Sequence, residues 1–308
     1  MNESGEKGVF YKYGEKNEYG IRIYCKYYSC GNLAYLWIEG IRRTVNFMNA
    51  RFLICNGCNL RCDYCHNEYQ GGIDESEENF SKETIYKTFK EHNLNNVNSI
   101  KISGGEPFLK TKEVSEIIEF SSSINKRIVI LTNATIHNLS LFDKIIEHKT
   151  HEMRISLPTF DISKYKNITK ANDEDVKVLY DNIVYFAKNN IPVSLNVVLV
   201  CHFNEIKSFI LNYIETAMTT YKSMDFKSIR FIINDWLPDK DNYFDKAYEV
   251  LASLTNTSGI QRRGRIIDFN DYYIPISLIK CDMNEESDVY LIPPGIVLTN
   301  HIKGKAYD

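Results

Sequence analysis

From about residue 50 the chain alternates between two hydrophobic rhythms. Phe52–Cys55, Ser99–Ile102, Ile128–Leu131, Arg154–Leu157, Val193–Val200 and Ile229–Ile233 are short apolar runs bounded by polar or turn residues, which predicts strands. Between them lie amphipathic segments. Val176, Leu179, Ile183 and Phe186 fall on one face of a helix, as do Ile206, Phe209, Ile210, Tyr213 and Ile214 after Asn204, an expected N-cap. Lys112–Phe120 repeats the pattern more briefly. Strand and helix in alternation imply βαβ units, hence an α/β fold with a parallel sheet. Periodicity leaves open whether that sheet is doubly wound or curved like a barrel. In both, ligands gather at the carboxyl ends of the strands. Gly8–Asn46 differs: a Tyr-rich alternation broken by Gly predicts a small β-rich extension. After Arg265 the rhythm lapses into an irregular C-terminal segment with Pro293, Pro294 and Gly295.

Composition narrows the function classes. The 308 residues are 44% apolar and 25% charged, with 37 Lys and Arg against 40 Asp and Glu, a net charge of −3. That balance supplies no bulk attraction to nucleic acid or anionic membrane. The longest apolar runs fall far short of the ~20 residues of a membrane span. Met1–Lys7 is polar and charged, which is no secretory signal, so a reducing cytoplasm is the expected compartment. Four of the eight cysteines lie within Cys55–Cys65, a clustering that reads as metal ligands or redox groups rather than staples.

That cluster, Cys55-Asn-Gly-Cys58-Asn-Leu-Arg-Cys62-Asp-Tyr-Cys65-His66-Asn67, follows directly on the first strand of the alternating region. A structural zinc site usually joins two well-separated ligand pairs. Four cysteines in one compact loop suit an iron–sulfur cluster better. Cys58, Cys62 and Cys65 would supply three thiolates and leave one iron open. Cys55 stands outside the triplet as a strand-end thiol. The CxxxCxxC spacing resembles that of radical S-adenosylmethionine (SAM) enzymes. The resemblance implies a [4Fe–4S] cluster held by Cys58, Cys62 and Cys65, SAM on the fourth iron, and Tyr64 beside the adenine.

Ser103-Gly104-Gly105-Glu106-Pro107, after the second strand, is similar to the GGEP motif of the same superfamily. It implies that Gly104, Gly105, Glu106 and Pro107 receive SAM, with the Glu106 carboxylate at its ammonium. By the same likeness Ser156 and Asn196 contact SAM, Asn133 contacts substrate, and the strand ending at Asn234 offers its backbone to adenine. The match runs from about Phe47 to Pro238. It implies a partial (β/α)6 TIM-like barrel at 47–238, with 1–46 as the N-terminal extension and 239–308 covering the barrel opening. Arg154–Lys170 and the Pro192–Val200 strand look most like the molybdenum-cofactor GTP cyclase branch, whereas the CxYCHN wording resembles the activating enzymes of glycyl-radical proteins. The chain departs from the cyclases in having only Cys281 where they carry a three-cysteine C-terminal site. Cys25, Cys30, Cys201 and Cys281 show no spacing for a second cluster.

The implied reaction is reductive cleavage of SAM to a 5′-deoxyadenosyl radical. That radical takes hydrogen from a small molecule for rearrangement, cyclisation or oxidation. Flavodoxin or ferredoxin is the expected kind of electron donor. Modification of a ribosomal peptide, activation of a glycyl-radical partner, and simple electron carriage are the alternatives; the last has no use for the Gly104–Pro107 turn. Gln261-Arg262-Arg263-Gly264-Arg265 gathers three guanidinium groups, which suit a phosphate or another strong anion. Arg262, Arg263 and Arg265 are therefore expected substrate contacts, pointing to a nucleotide-like or phosphorylated substrate.

Overall fold

The computed structural model describes residues 49–65, 81–91, 94–224, 226–234, 237, 239–254 and 274–280, with the strand segments 10–13, 23–27, 33–38, 41–42, 260–263, 266–269, 288–292 and 296–298. Phe10–Tyr13 (β1), Ile23–Tyr27 (β2), Leu33–Ile38 (β3) and Ile41–Arg42 (β4) pair antiparallel in that order, the expected β-rich extension.

All six expected strands of the core are present: Asn49–Leu53 (β5), Ser99–Ser103 (β6), Arg127–Thr132 (β7), Glu152–Ser156 (β8), Val193–Val198 (β9) and Ser228–Ile233 (β10). They are parallel neighbours in sequence order, with no reversal. A doubly wound sheet must reverse its order at a switch point. An unreversed order with right-handed crossovers places every connecting helix on one face. The sheet curls into a partial barrel. Across a flat sheet β5 and β10 would stand about 24 Å apart at the usual strand spacing. Yet Asn234, just past β10, donates to the carbonyl of Tyr64, in the loop after β5, at 3.0 Å.

The helices are Lys82–Glu91 (α1), Thr111–Ser123 (α2), Leu139–Glu147 (α3), Ile162–Thr169 (α4), Asp173–Lys188 (α5), Ile206–Thr219 (α6) and Lys240–Ser253 (α7). In α5 the expected apolar face, Val176, Leu179, Ile183 and Phe186, is buried, and Asn172 with Asp175 forms a capping box. The expected N-cap Asn204 is a correction: it lies inside a short 3-10 turn, Phe203–Glu205, and Glu205 instead accepts the His202 N–H. That turn supplies the first hydrogen bonds itself, so α6 starts later and without a side-chain cap.

Each core strand alternates. Ile100 and Ile102, Ile128 and Ile130, Met153 and Ile155, Leu195 and Val197, and Ile229 and Phe231 are buried against the helices. The opposite face mixes polar and charged residues with Val129, Leu131, Val198 and Ile232. Ser156, Asn196, Arg230, Ser277 and Asp268 are register partners in one row running across five neighbouring strands. The C-terminal segment is more regular than expected. Ile276–Lys280 (β13) joins β10 in parallel, Ile266–Phe269 (β12) and Ile260–Arg263 (β11) follow antiparallel, and Asp288–Ile292 (β14) and Ile296–Leu298 (β15) extend the other side beyond β5. The sheet thus continues past residue 238, the expected end of the core. Among the described residues no helix is long and apolar enough to cross a membrane.

Candidate functional site

The cysteine loop leaves the carboxyl end of β5 and is pinned from four directions. On one side the β6 turn packs backbone to backbone against it: Gly105 N–H donates to Cys55 O at 2.6 Å and Glu106 N–H to Gly57 O at 2.8 Å. A Cβ on Gly105 would stand 2.0 Å from Gly57 O, and one on Gly104, at φ +139°, 2.6 Å from Cys55 O. Both positions require glycine because the loop is pressed onto them. On another side α4 ends against the loop. The Ile168 and Thr169 carbonyls, left over at its C-terminus, accept from Asp63 and Arg61 N–H at 2.9 and 3.1 Å. Lys170, left-handed at φ 62°, closes the helix and reaches Asp63 at 2.8 Å.

The third attachment comes from the end of β7 and fixes Asn133. Its Oδ1 accepts from Thr135 N–H at 2.9 Å and from the Thr135 hydroxyl at 2.7 Å. Its amide nitrogen therefore faces Asn59 Oδ1, at 2.9 Å, and Cys58 Sγ, at 3.6 Å. Asn59 closes the ring by donating to Thr135 Oγ1 at 2.7 Å. The fourth attachment is the Asn234–Tyr64 bond. Asn59 and Thr135 carried no sequence signal as site residues, being single polar residues in loops.

Glu106 is buried, at 1% exposure. It accepts from the Thr132 hydroxyl, Asn133 N–H and Phe108 N–H at 2.6, 2.7 and 3.0 Å, and the last of these caps the short Pro107–Leu109 turn. Burial nevertheless pushes its carboxyl up to about 7 against the pull of those three donors. No Lys or Arg among the described residues pairs with it. A carboxylate left this costly to ionise suits a cationic ligand.

Cys58, Cys62 and Cys65 share one side of the loop. Cys58 and Cys65 are exposed, Cys62 is half-buried, and each lies within electrostatic reach of the others. Burial raises the Cys58 thiol and pushes Cys62 up to about 12, with the Leu60 N–H and the Asn133 amide pulling Cys58 the other way. Iron would deprotonate such thiols. Among the described residues no three ligating side chains converge on a single-ion position. Three soft thiolate donors on one open loop fit an iron–sulfur cluster with one iron left free. Cys55 stands apart and buried, its thiol on the Glu106 and Gly57 carbonyls.

The remaining expected residues are distributed as follows. Tyr64 is buried beside Cys62 and Tyr165. Ser156, the last residue of β8, is the register partner of Asn196, which lies inside β9 rather than at its end as expected, and Arg230 Nε donates to Asn196 Oδ1 at 3.2 Å. Arg262 and Arg263 lie in β11, separated from β10 by β12 and β13. Arg265, His66, Cys30 and Cys281 lie outside the described residues.

A family model described as the radical SAM superfamily matches residues 52–210, just over half of the chain. The chain belongs to the radical SAM superfamily. Enzymes of this superfamily use a [4Fe–4S] cluster with SAM. Among relatives, a probable GTP 3′,8-cyclase of Methanocaldococcus jannaschii is 35% identical over 146 residues, 47% of this chain and 46% of the relative. A GTP 3′,8-cyclase of Clostridium botulinum is 28% identical over 166 residues, 53% of this chain and 50% of the relative. The chain thus spans about half the length of the curated relatives it matches. In fold it is similar to Streptococcus suis SuiB, solved with S-adenosylmethionine, at a TM-score of 0.56 and 12% identity over 82% of this chain and 60% of that one.

Proposed function

We propose that this radical SAM protein binds a [4Fe–4S] cluster through Cys58, Cys62 and Cys65 and cleaves SAM to oxidise, cyclise or rearrange a small anionic molecule. The observation that supports it best is the convergence of strand ends on one loop. The β6 turn and the β7 end both bond directly to the Cys55–Cys65 segment, and the buried Glu106 lies at their junction. Bound together, the cluster and SAM supply a 5′-deoxyadenosyl radical.

The chain's own residues do the rest. Glu106, short of a cation, receives the SAM ammonium. Gly104 and Gly105 hold that turn against the loop, so cofactor and cluster share one rigid wall. Ser156 and Asn196, on the inner row, face the same mouth and hold the polar parts of SAM. The polar interior below them takes the substrate and orients it. A one-electron donor of the flavodoxin or ferredoxin kind supplies the reducing electron. The GTP cyclase relatives favour a nucleotide-like substrate over a peptide. Anaerobic reconstitution with SAM and dithionite tests this reading. It requires 5′-deoxyadenosine release; a cluster whose spectrum ignores SAM would make the protein an electron carrier instead.

A further inference from the structure

The inner face of the barrel carries more charge than a protein interior usually tolerates. Arg51 on β5, Arg154 and Glu152 on β8, and Asp268 on β12 all lie close enough to Arg230 on β10 to act on it electrostatically. The acids are already engaged. Glu152, 3% exposed, takes Arg154 Nε and Nη2 at 2.8 and 3.2 Å, and is also bonded by Arg127 and approached by Lys227 at 3.6 Å. Asp268 accepts from the Ser277 hydroxyl at 2.8 Å. Among the described residues, the arginines of this inner face outnumber its carboxylates. Burial, followed by the neighbouring Arg154, pulls the Arg230 guanidinium down to about 9, against the opposing pull of Glu152 and Asp268.

Position gives this excess a use. Arg230 sits in the row with Asn196 and Ser156, and Arg154 lies one pleat, roughly 6.6 Å, below Ser156. Arg230 spends Nε on Asn196. Among the described residues no side chain hydrogen-bonds its two terminal amino groups, which form the edge of the fork suited to an oxoanion. On this face Arg154, Ser156, Asn196 and Arg230 keep partial exposure while Met153, Ile155, Leu195, Ile229 and Phe231, which face the helices, have none, so this part of the face opens onto solvent.

We infer that Arg154 and Arg230 form a binding site for an oxoanion of the substrate, a carboxylate or a phosphate, in the barrel interior beneath Ser156 and Asn196. This rests on the radical-enzyme reading above and places the substrate's charged end inside the sheet, not at Arg262, Arg263 and Arg265. The substrate then stands with one end on the barrel floor and its reacting carbon toward the cysteine loop.

Calorimetric titration of the full-length, cluster-loaded protein with pyrophosphate and, separately, with glutarate tests this. Tighter pyrophosphate binding assigns a phosphorylated substrate, and tighter glutarate binding a carboxylate. In either case Arg154→Gln and Arg230→Gln should each weaken binding at least tenfold. Arg230→Lys, which keeps the charge and loses the fork, should fall between them and wild type. Arg154→Lys and Arg230→Lys carry the test should a glutamine variant fail to melt cooperatively. The inference is overturned by three results: neither anion binds, affinity is equal in all folded variants, or saturating SAM displaces the anion. The last would give the floor to the carboxylate of SAM. Wild-type protein that releases 5′-deoxyadenosine yet binds neither anion refutes this inference alone. Failure of that release refutes the enzymatic reading beneath it.

Discussion

Asn234 donates its side-chain amide to the backbone carbonyl of Tyr64 at 3.0 Å, across 170 residues of chain. One partner follows the last strand of the βα series and the other sits within the cysteine loop after its first. The bond is buried, with Asn234 2% exposed, so it closes the barrel mouth where water cannot replace it.

Removing that donor should loosen the loop. Asn234→Ala leaves a buried carbonyl without its partner, at about 1–3 kcal/mol. The expected result is a lower melting temperature and faster amide exchange over residues 58–65. Unchanged exchange in that loop would show that the bond holds nothing in place.

A second contact bears on the cluster. The Asn133 amide lies 3.6 Å from Cys58 Sγ, with its orientation fixed by Thr135. Hydrogen bonds to ligand sulfur stabilise the reduced cluster. Asn133→Leu should therefore lower the reduction potential of the reconstituted cluster while iron content stays normal. An unchanged potential in a redox titration followed by EPR would remove Asn133 from the cluster's surroundings.

Glu152 makes stability depend on pH. Burial works against its ionised form, but Arg154, Lys227 and Ser194 hold its carboxyl down at about 2. A folded-state value below the unfolded one gives stability that is fully present above about pH 5 and is lost as the pH falls toward 2. The displacement corresponds to roughly 3 kcal/mol. Glu152→Gln should cost about that much in urea unfolding at pH 7, and the gap to wild type should narrow steadily below pH 4.5. A gap independent of pH would mean that the carboxylate charge is not what matters.

Much of this was legible in the sequence. Strand identity survived in all six runs because β-branched apolar residues at short spacing have few other uses, although β5 and β8 begin earlier than their apolar centres suggest. At β5 the ladder opens with the polar pair Asn49 and Ser99. The curl was not legible from periodicity, since it depends on strand order. Gly104 and Gly105 stood out as part of the GGEP-like motif, but that the Cys55–Gly57 backbone presses on them was not visible. The cationic floor escaped notice because Arg51, Arg154 and Arg230 are far apart in sequence and only strand register and curl bring them together. Arg262 and Arg263, adjacent in sequence, drew attention for the opposite reason.

Glu106 carries the proposed contact to SAM. Burial raises its carboxyl to about 7, so binding an ammonium must favour the ionised form. SAM affinity should then weaken as pH falls below 7, by up to about tenfold per pH unit. Glu106→Gln should weaken SAM binding roughly ten- to a hundredfold, the worth of a charge-assisted bond, and leave the cluster in place. Equal SAM affinity in the variant, with iron content intact, would refute the role.

The cysteine triplet decides the account as a whole, and EPR of the dithionite-reduced, anaerobically reconstituted protein tests it most directly. Wild type and Cys55→Ala should show a [4Fe–4S] signal that changes on adding SAM. Cys58→Ala, Cys62→Ala and Cys65→Ala should each lose that signal together with 5′-deoxyadenosine release. Normal iron content and a SAM-responsive signal in a variant lacking all three thiols would contradict it.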